Sequence, residues 1–524
     1  MTAVDEGDEG MATSCCDTRE LPRLEAVEID GHDAGKEEPL RKRSTPRSVL
    51  AYPGKGSGSG SGSGRQASLR RRLGSAWARN WGSVWRRSPK THSISRSFVL
   101  DGLRALAVLW VIAFHVMVMV VTDGLSPLVS RLVSFWPAQI AFNGDMGVDV
   151  FFTLSGYLIG RILLKEMVAG FQRGVRGTLA SLCTFYVRRW LRIFPMLVTA
   201  IVLTIAANEI SLAVNGGKNF SQFDFVSGNK CTDFGEVWPM LLFVNNYVGD
   251  FQCLVQTWSV AVEVQMYLVS PLIIWLVFSF KARRPRRFCY AALFFLSGIN
   301  IATNAYMLYV TQKGELFHFI PQTKVDGNGI LPLSYVATWT RYSPYVSGVT
   351  VSLMQWEEVE IRLPRAALCT LDVLTLLVLG SLLFLGAGTN YLTYQTSPAL
   401  AQVLALGGRW IFGWGIAYFI FMCNRGRLRA FNAILSVSFW YPIAVLSYGA
   451  YLLHLIWTTF VKGVDDFRAI SPLKSIWVSW SVFNWDFTVC VLFSFLSALI
   501  TYLLVEKPLM NARPTVRFAS QPAA

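Results

Sequence analysis

Charged residues are scarce in this sequence: Asp, Glu, Lys and Arg together make up 15% of its 524 residues, against about 25% in ordinary soluble domains. Hydrophobic residues reach 53%, which argues against a soluble enzyme and predicts a polytopic membrane protein. The nine cysteines are scattered, with no CxxC and no zinc-like spacing. We therefore expect no metal site.

The net charge of +15 does not by itself indicate nucleic-acid binding. A nucleic-acid-binding module would interleave basic and aromatic residues on a soluble domain, and none is visible here. Lys and Arg instead cluster between apolar stretches, as they do in cytoplasmic loops of membrane proteins. We therefore expect membrane lipids, and no nucleic acid, among the partners.

Residues 1–95 contain little that could form a hydrophobic core. An acidic start is followed by a Gly-Ser repeat and then by a basic, Trp-containing run from Arg65 to Lys90. This composition predicts a disordered cytosolic tail. Two interpretations of the basic run stay open: it lies on an anionic membrane surface, or it is a solvated linker that fixes topology.

Apolar stretches of nearly membrane-spanning length recur about ten times from Phe98 onward. They predict an all-α bundle over a membrane domain of 97–512, followed by a short cytosolic tail of 513–524. We place the stretches near 98–122, 147–166, 185–208, 257–280, 288–311, 341–356, 366–388, 399–423, 440–461 and 484–505. The sixth is short, which suggests a broken or tilted helix. Two further apolar segments, 236–250 and 427–439, are too short to span.

The distribution of positive charge predicts the orientation of the bundle. Runs such as "VRRWLR", "KARRPRR" and "NRGRLR" fall on one side together with the basic tail, so both termini should be cytosolic, in a membrane that the sequence does not identify. The loop 209–256 would then lie on the opposite side. It contains the sequon at Asn219 and two cysteines, Cys231 and Cys253, for which we expect glycosylation and a disulfide.

The stretch "DGLRALAVLWVIAFH" places an arginine and a histidine inside one predicted span. Arg104 and His115 are eleven residues apart, so both side chains project from one helix face, about 16 Å apart along the axis. Ionisable groups inside a membrane are costly and indicate a functional site. These two residues should therefore line one path.

Six further ionisable groups lie at the predicted depth of either His115 or Arg104. By helical rise, the acid–base candidates fall in the outer half of the bilayer: His115, Glu263, Asp149 and His454. The basic candidates fall at the cytosolic face: Arg104, Arg188, Arg189 and Arg192. The outer half suits acid–base chemistry and the cytosolic face suits an anion.

Each of these residues also has a purely structural interpretation. A membrane histidine can simply hydrogen-bond a neighbouring helix, and an arginine at the membrane edge can merely set topology, which applies most to Arg188. Glu263 is harder to explain in this way, because a carboxylate at that depth needs a partner or a proton. Arg189 and Arg192 are three residues apart on one face, which suits a phosphate clamp.

An ordered set of motifs over residues 97–512 resembles the membrane acyltransferase type 3 family, which includes bacterial O-acetyltransferases and proteins similar to the nose-resistant-to-fluoxetine group. The motifs are Arg104 with His115, "GVDVFFTLSGYLIG", "FYVRRWLRIFP", "TWSVAVEVQMYLVSPLI", "LSYGAYLLHLIW" and "VEKPL". Two stretches, "TRYSPYVSGVTVSL" and "TWSVAVEVQMY", are more similar to the eukaryotic branch. Arg189 with Arg192 and Glu263 also match positions of the family's motifs.

The resemblance implies transfer of an acyl group, expected to be acetyl, from cytosolic acyl-CoA to a hydroxyl on a carbohydrate or lipid across the membrane. The residues are compatible with it. Cytosolic arginines suit polyanionic CoA, and histidine supplies a base with a pKa near neutrality. We expect His115, oriented by Asp149 or Glu263, to take the acceptor proton, with His454 as second base or acceptor ligand. Arg104, Arg189 and Arg192 would bind CoA.

Three alternatives stay open at this point. The first is an acyl-enzyme on Ser155 or Ser259, although no G-x-S-x-G nucleophile elbow is present. The second is a transporter or lipid-handling protein that uses the buried His and Glu as proton or cargo sites; no repeat relating two halves of the bundle supports it. The third is an inactive scaffold.

Overall fold

The computed structural model describes residues 78–85, 98–122, 136–214, 234–248, 253–281, 286–311, 333–388, 403–465 and 476–511. These ranges are built from helices and short connections and contain no strand. The predicted sequon at Asn219 and one cysteine of the predicted pair, Cys231, lie outside them. Cys253 lies inside them and is disulfide-bonded.

The α-helices are numbered in chain order. They are α1 (Val99–Thr122), α2 (Trp136–Phe142), α3 (Met146–Phe171), α4 (Gly174–Val214), α5 (Phe234–Leu241), α6 (Trp258–Lys281), α7 (Arg286–Thr311), α8 (Leu333–Val336), α9 (Thr338–Trp356), α10 (Arg365–Gly388), α11 (Arg409–Asn424), α12 (Arg429–Leu435), α13 (Trp440–Asp465), α14 (Ile476–Thr501) and α15 (Lys507–Asn511). A 3-10 turn, Val255–Thr257, precedes α6. Two π-helical turns, Leu404–Gly408 and Tyr502–Glu506, precede α11 and follow α14.

Nine helical stretches within the described ranges are long and apolar enough to cross a membrane, which confirms the prediction of a polytopic all-α bundle. The predicted stretch at 341–356 is not among the nine. It forms α9, a continuous helix of 19 residues rich in Ser, Thr and Tyr. Most of α9 is buried inside the protein, so its polar side chains meet other helices and not lipid.

The centre of the bundle is the crossing of α3 and α9, which is made close by two glycines. A Cβ added at Gly156 would collide with the backbone of Tyr345, and one added at Gly348 would collide with the backbone of Thr153. Small residues at a helix crossing let two backbones approach. The sequence "SGY" in α3 and "SGV" in α9 therefore bring these helices together and hold the residues on their flanks in fixed positions.

The two segments predicted to be too short to span form the short helices α5 and α12. Part of the predicted N-terminal tail also has defined structure. Residues 78–85 are helical, and Val84 within them is fully buried in the main hydrophobic core.

Candidate active site

A cavity of about 240 Å³ lies inside the bundle, lined by residues of α1, α3, α4, α6 and α13. Three guanidinium groups line it, those of Arg104, Arg189 and Arg192. Among the described residues on its wall, the one carboxylate is Glu263. Three cations against one carboxylate make the cavity electropositive, which suits an anionic ligand.

The same cavity has an apolar wall, contributed largely by α3. Phe151, Ile159 and Ile162 lie along it with Val148 at its start. These residues recur at the three- and four-residue spacing of one helix face. The cavity therefore combines a positively charged region with an apolar one, as a ligand with an anionic group and a hydrophobic arm requires.

Glu263 is held in the cavity wall by two hydroxyl groups. The Ser155 hydroxyl donates to Glu263 Oε1 at 2.5 Å, and the Tyr267 hydroxyl donates to the same oxygen. The two hydroxyl oxygens lie 2.8 Å apart. The Arg189 guanidinium carbon is 5.7 Å from the centre of the Tyr267 ring, so the cation stacks on the ring that anchors the carboxylate.

The two predicted membrane histidines form a pair. His454 Nε2 lies 3.2 Å from His115 Nδ1, and the ring centres are 4.7 Å apart. Each Nδ1 also faces a backbone carbonyl: His115 that of Val111 at 2.9 Å, and His454 that of Tyr451 at 2.6 Å. His454 is fully buried, whereas His115 is partly exposed.

For neutral rings, these contacts assign the tautomer. A carbonyl oxygen only accepts hydrogen bonds, so the proton of each imidazole sits on Nδ1. His454 Nε2 then carries a lone pair, and the single Nδ1 proton of His115 is shared between that nitrogen and the Val111 carbonyl. The arrangement leaves His115 Nε2 unprotonated, which is the state of a general base.

Tyr451 connects the cavity with the histidine pair. It lines the cavity, and its ring centre lies 5.7 Å from that of His454. Its hydroxyl bonds the Ser259 hydroxyl at 2.6 Å and the Gln256 carbonyl at 3.0 Å, which fixes the ring. The histidines do not line the cavity themselves, so Tyr451 lies between an arginine region and a histidine region.

Asp149 does not orient His115, which is a correction to one of the two predicted pairings. It is fully buried and accepts from Arg341 at 3.2 Å and from Arg409. Arg409 also donates to Asp145 at 2.8 Å. A buried carboxylate needs charged partners, and two arginines from α9 and α11 supply them. Asp149 therefore joins α3 to α9 and α11.

Glu263 also differs from its predicted place, because it lies on the wall of the arginine cavity and bonds Ser155 and Tyr267 instead of a histidine. Arg188 does not line the cavity; it pairs with Glu166 at 3.0 Å, and about a third of each side chain is exposed. The structure thus brings Arg104, Arg189 and Arg192 together with Glu263. It pairs the histidines with each other.

Sequence reasoning did not find the roles of Arg341, Arg409, Tyr267 and Tyr451. Arg341 and Arg409 are buried, and each is an isolated arginine within an otherwise apolar or hydroxyl-rich stretch. An arginine in such a stretch needs an acidic partner, which is a signal that could have found them. Tyr267 lies four residues after Glu263, one helical turn along α6, so that pairing was also accessible from the sequence.

Metal binding has no support in the described part of the chain, where no group of three or more His, Cys, Asp or Glu residues could hold an ion.

The curated proteins that are similar in sequence to this chain include the following three. Peptidoglycan O-acetyltransferase OatA of Listeria monocytogenes is 28% identical over 49% of the chain and 37% of its own length. Nose resistant to fluoxetine protein 6 of Caenorhabditis elegans is 24% identical over 68% of the chain and 44% of its length. O-acetyltransferase OatA of Staphylococcus aureus is 27% identical over 43% of the chain and 32% of its length.

The chain thus covers less than half the length of each of these relatives. No solved structure matches it significantly. Residues 98–503 match the family described as "Acyltransferase domain", and this range contains the arginine cavity, the histidine pair and the Asp149 cluster. The chain therefore belongs to this membrane acyltransferase family.

Proposed function

We propose that this protein is an integral membrane O-acyltransferase. It would move an acyl group, in the first instance acetyl, from cytosolic acyl-CoA to a hydroxyl of a carbohydrate or lipid on the far side of the membrane. The observation that carries the proposal is the position of Tyr451 between two chemically different regions: an electropositive cavity and a histidine pair. The names of the relatives, which include two O-acetyltransferases, support the reaction class.

The donor end is the cavity. Acyl-CoA is a polyanion with a flexible, weakly polar arm that ends in a thioester. Its phosphate groups would bind Arg104, Arg189 and Arg192, because guanidinium forks form strong charge-assisted hydrogen bonds with phosphate. Its arm would lie along the apolar wall formed by Phe151 and Ile159.

The acid–base end is His115. As the acceptor hydroxyl attacks the thioester carbonyl, His115 Nε2 takes its proton, and a carbon–oxygen bond forms. The carbon–sulfur bond then breaks, and the imidazolium returns the proton to the departing thiolate, so the products are the ester and free CoA. His454 accepts from His115 Nδ1 and holds the ring, which is a positioning role.

The positions of Arg104 and His115 along α1 support access from two sides. Arg104 lies in the second turn of α1 and His115 about three turns further along it. If the basic loops are cytosolic, as the distribution of Lys and Arg favours, the arginine end faces the cytosol and the partly exposed His115 lies toward the opposite surface. A donor and an acceptor would then enter from opposite sides.

The test is transfer of radiolabelled acetyl from acetyl-CoA by the purified full chain in liposomes. We expect the parent protein to release the label from acetyl-CoA. His115→Ala should release none, and Arg192→Ala should release none when the donor concentration is low. Turnover that is indifferent to His115 would overturn the mechanism. If neither acetyl-CoA nor longer acyl-CoA donors bind, the transporter or lipid-handling alternative becomes the better explanation of the buried His and Glu.

A further inference from the structure

An N-terminal segment is packed into the bundle. We call residues 78–85 the strap. Val84 of the strap has no exposed surface and belongs to the main hydrophobic core, and Asn80 is 8% exposed. A valine with no exposed surface is surrounded by core side chains, so the strap is packed into the bundle and does not merely lie on its surface.

Three hydrogen bonds fix the strap to the last described residues of the chain and to the start of α13. The Ser83 and Tyr502 hydroxyl oxygens lie 3.2 Å apart. The Tyr441 hydroxyl donates to the Ser83 carbonyl at 3.3 Å. Asn511 donates to the side-chain oxygen of Asn80 at 3.1 Å. The two ends of the described chain are thereby tied together.

The strap is connected with the arginine end of the cavity through the π-helical turn and α4. Tyr502 opens the π-helical turn Tyr502–Glu506, which packs against α4, the helix that carries Arg192. Tyr441 precedes the cavity-lining Tyr448 by seven residues on α13, which is two turns or about 10 Å.

A π-helical turn is less regular than an α-helix and frequently marks a functional position. The Ser83 hydroxyl contacts the first residue of the turn at Tyr502–Glu506. An element that is already held in its binding geometry lowers the cost of ordering on ligand binding, so the loss of such a contact would lower affinity.

We propose that the strap is a positioning element for the anionic donor: through Tyr502 it holds the π-helical turn and Arg192 in the geometry that binds the donor. Ser83, Val84 and Tyr502 are positioning residues and do not touch the reacting atoms. The inference rests on the proposed function, because the ligand of the cavity is the acyl donor named there.

The test is a double-mutant cycle on the full chain in liposomes, with acetyl-CoA as the donor. Ser83→Ala and Tyr502→Phe should each raise the donor KM by about two- to tenfold, the effect of one hydrogen bond, with kcat unchanged. The double variant should be no worse than either single one, because both remove the same contact. Val84→Asp, which places a charge in the core, should raise the KM further.

Two matched variants keep this test specific. Ser83→Thr retains the hydroxyl and should keep the KM of the parent, whereas a loss caused only by altered folding would not be rescued in this way. Leu377→Ala changes an exposed residue of α10 that lies outside the strap and the cavity wall and should have no effect.

The outcomes separate the two proposals. A parent that does not bind acetyl-CoA overturns the donor assignment and this inference together. A parent that turns over acetyl-CoA, with a donor KM that is unchanged or lowered in the variants, overturns the role of the strap alone. Additive effects of Ser83→Ala and Tyr502→Phe would also overturn it, since the residues would then act independently.

Discussion

His454 Nε2 lies 3.2 Å from His115 Nδ1, although 339 residues separate the two histidines in the chain. The contact joins α1 to α13 and uses Nδ1 of His115, so that Nε2 is the nitrogen to which the proposed mechanism assigns proton transfer. In the proposed mechanism the two histidines are therefore unequal: His115 transfers the proton, and His454 positions His115.

That inequality predicts different kinetics for the two residues. His115→Ala should lower kcat by about 10²–10⁴, the usual contribution of a general base, with donor binding retained. His454→Gln keeps a hydrogen-bond acceptor beside His115 and should cost much less. Steady-state turnover of acetyl-CoA, with donor affinity measured separately, makes the comparison. Equal losses in the two variants would contradict the assignment.

The three neighbouring arginines of α4 offer a comparison within one short stretch. Arg192→Ala and Arg189→Ala should raise the donor KM by about 10- to 100-fold, because each removes a charge-assisted contact. Arg188→Ala should leave it nearly unchanged, since Arg188 pairs with Glu166 and does not line the cavity. Donor titration of the three variants tests this, and a large effect of Arg188 would argue for a different donor site.

Removing the charge of Asp149 should affect stability before it affects chemistry. Asp149→Asn leaves two buried guanidinium groups, of Arg341 and Arg409, without their shared carboxylate, which should cost about 3–5 kcal/mol. Asp372→Asn breaks a more exposed pair with Arg427 and should cost less than about 1 kcal/mol. Unfolding followed in detergent would show the difference. Similar losses would mean that the Asp149 cluster contributes little.

The crossing of α3 and α9 can be tested with one added methyl group. Gly348→Ala places a Cβ against the Thr153 backbone, and relief of that overlap should cost about 1–3 kcal/mol. Gly380→Ala in α10 meets nothing within 4 Å and should stabilise its helix by up to about 1 kcal/mol. In thermal unfolding, Gly348→Ala should lower the melting temperature and Gly380→Ala should raise it. Tolerance of Gly348→Ala would show that the helices can separate.

The sequence located most members of the candidate site but misassigned some of their partners. Helical spacing places Arg189 and Arg192 on one face, and both line the cavity. Depth along a span placed Glu263 with the histidines, whereas the structure places it with the arginines, because a helical position fixes height in the membrane and not which neighbour a side chain faces. The predicted pairing of Asp149 with His115 was wrong for the same reason, because the partners of Asp149 come from α9 and α11.

The sequence by itself determined that this protein is a helical membrane bundle, since a run of apolar residues can satisfy its backbone in lipid only as a helix. It also determined which ionisable side chains such a bundle must bury. The tertiary structure alone decided how they pair: His115 with His454, Asp149 with two arginines, and Ser83 with Tyr502. Those pairings depend on how helices distant in the chain pack and rotate against one another, and local periodicity carries no information about that.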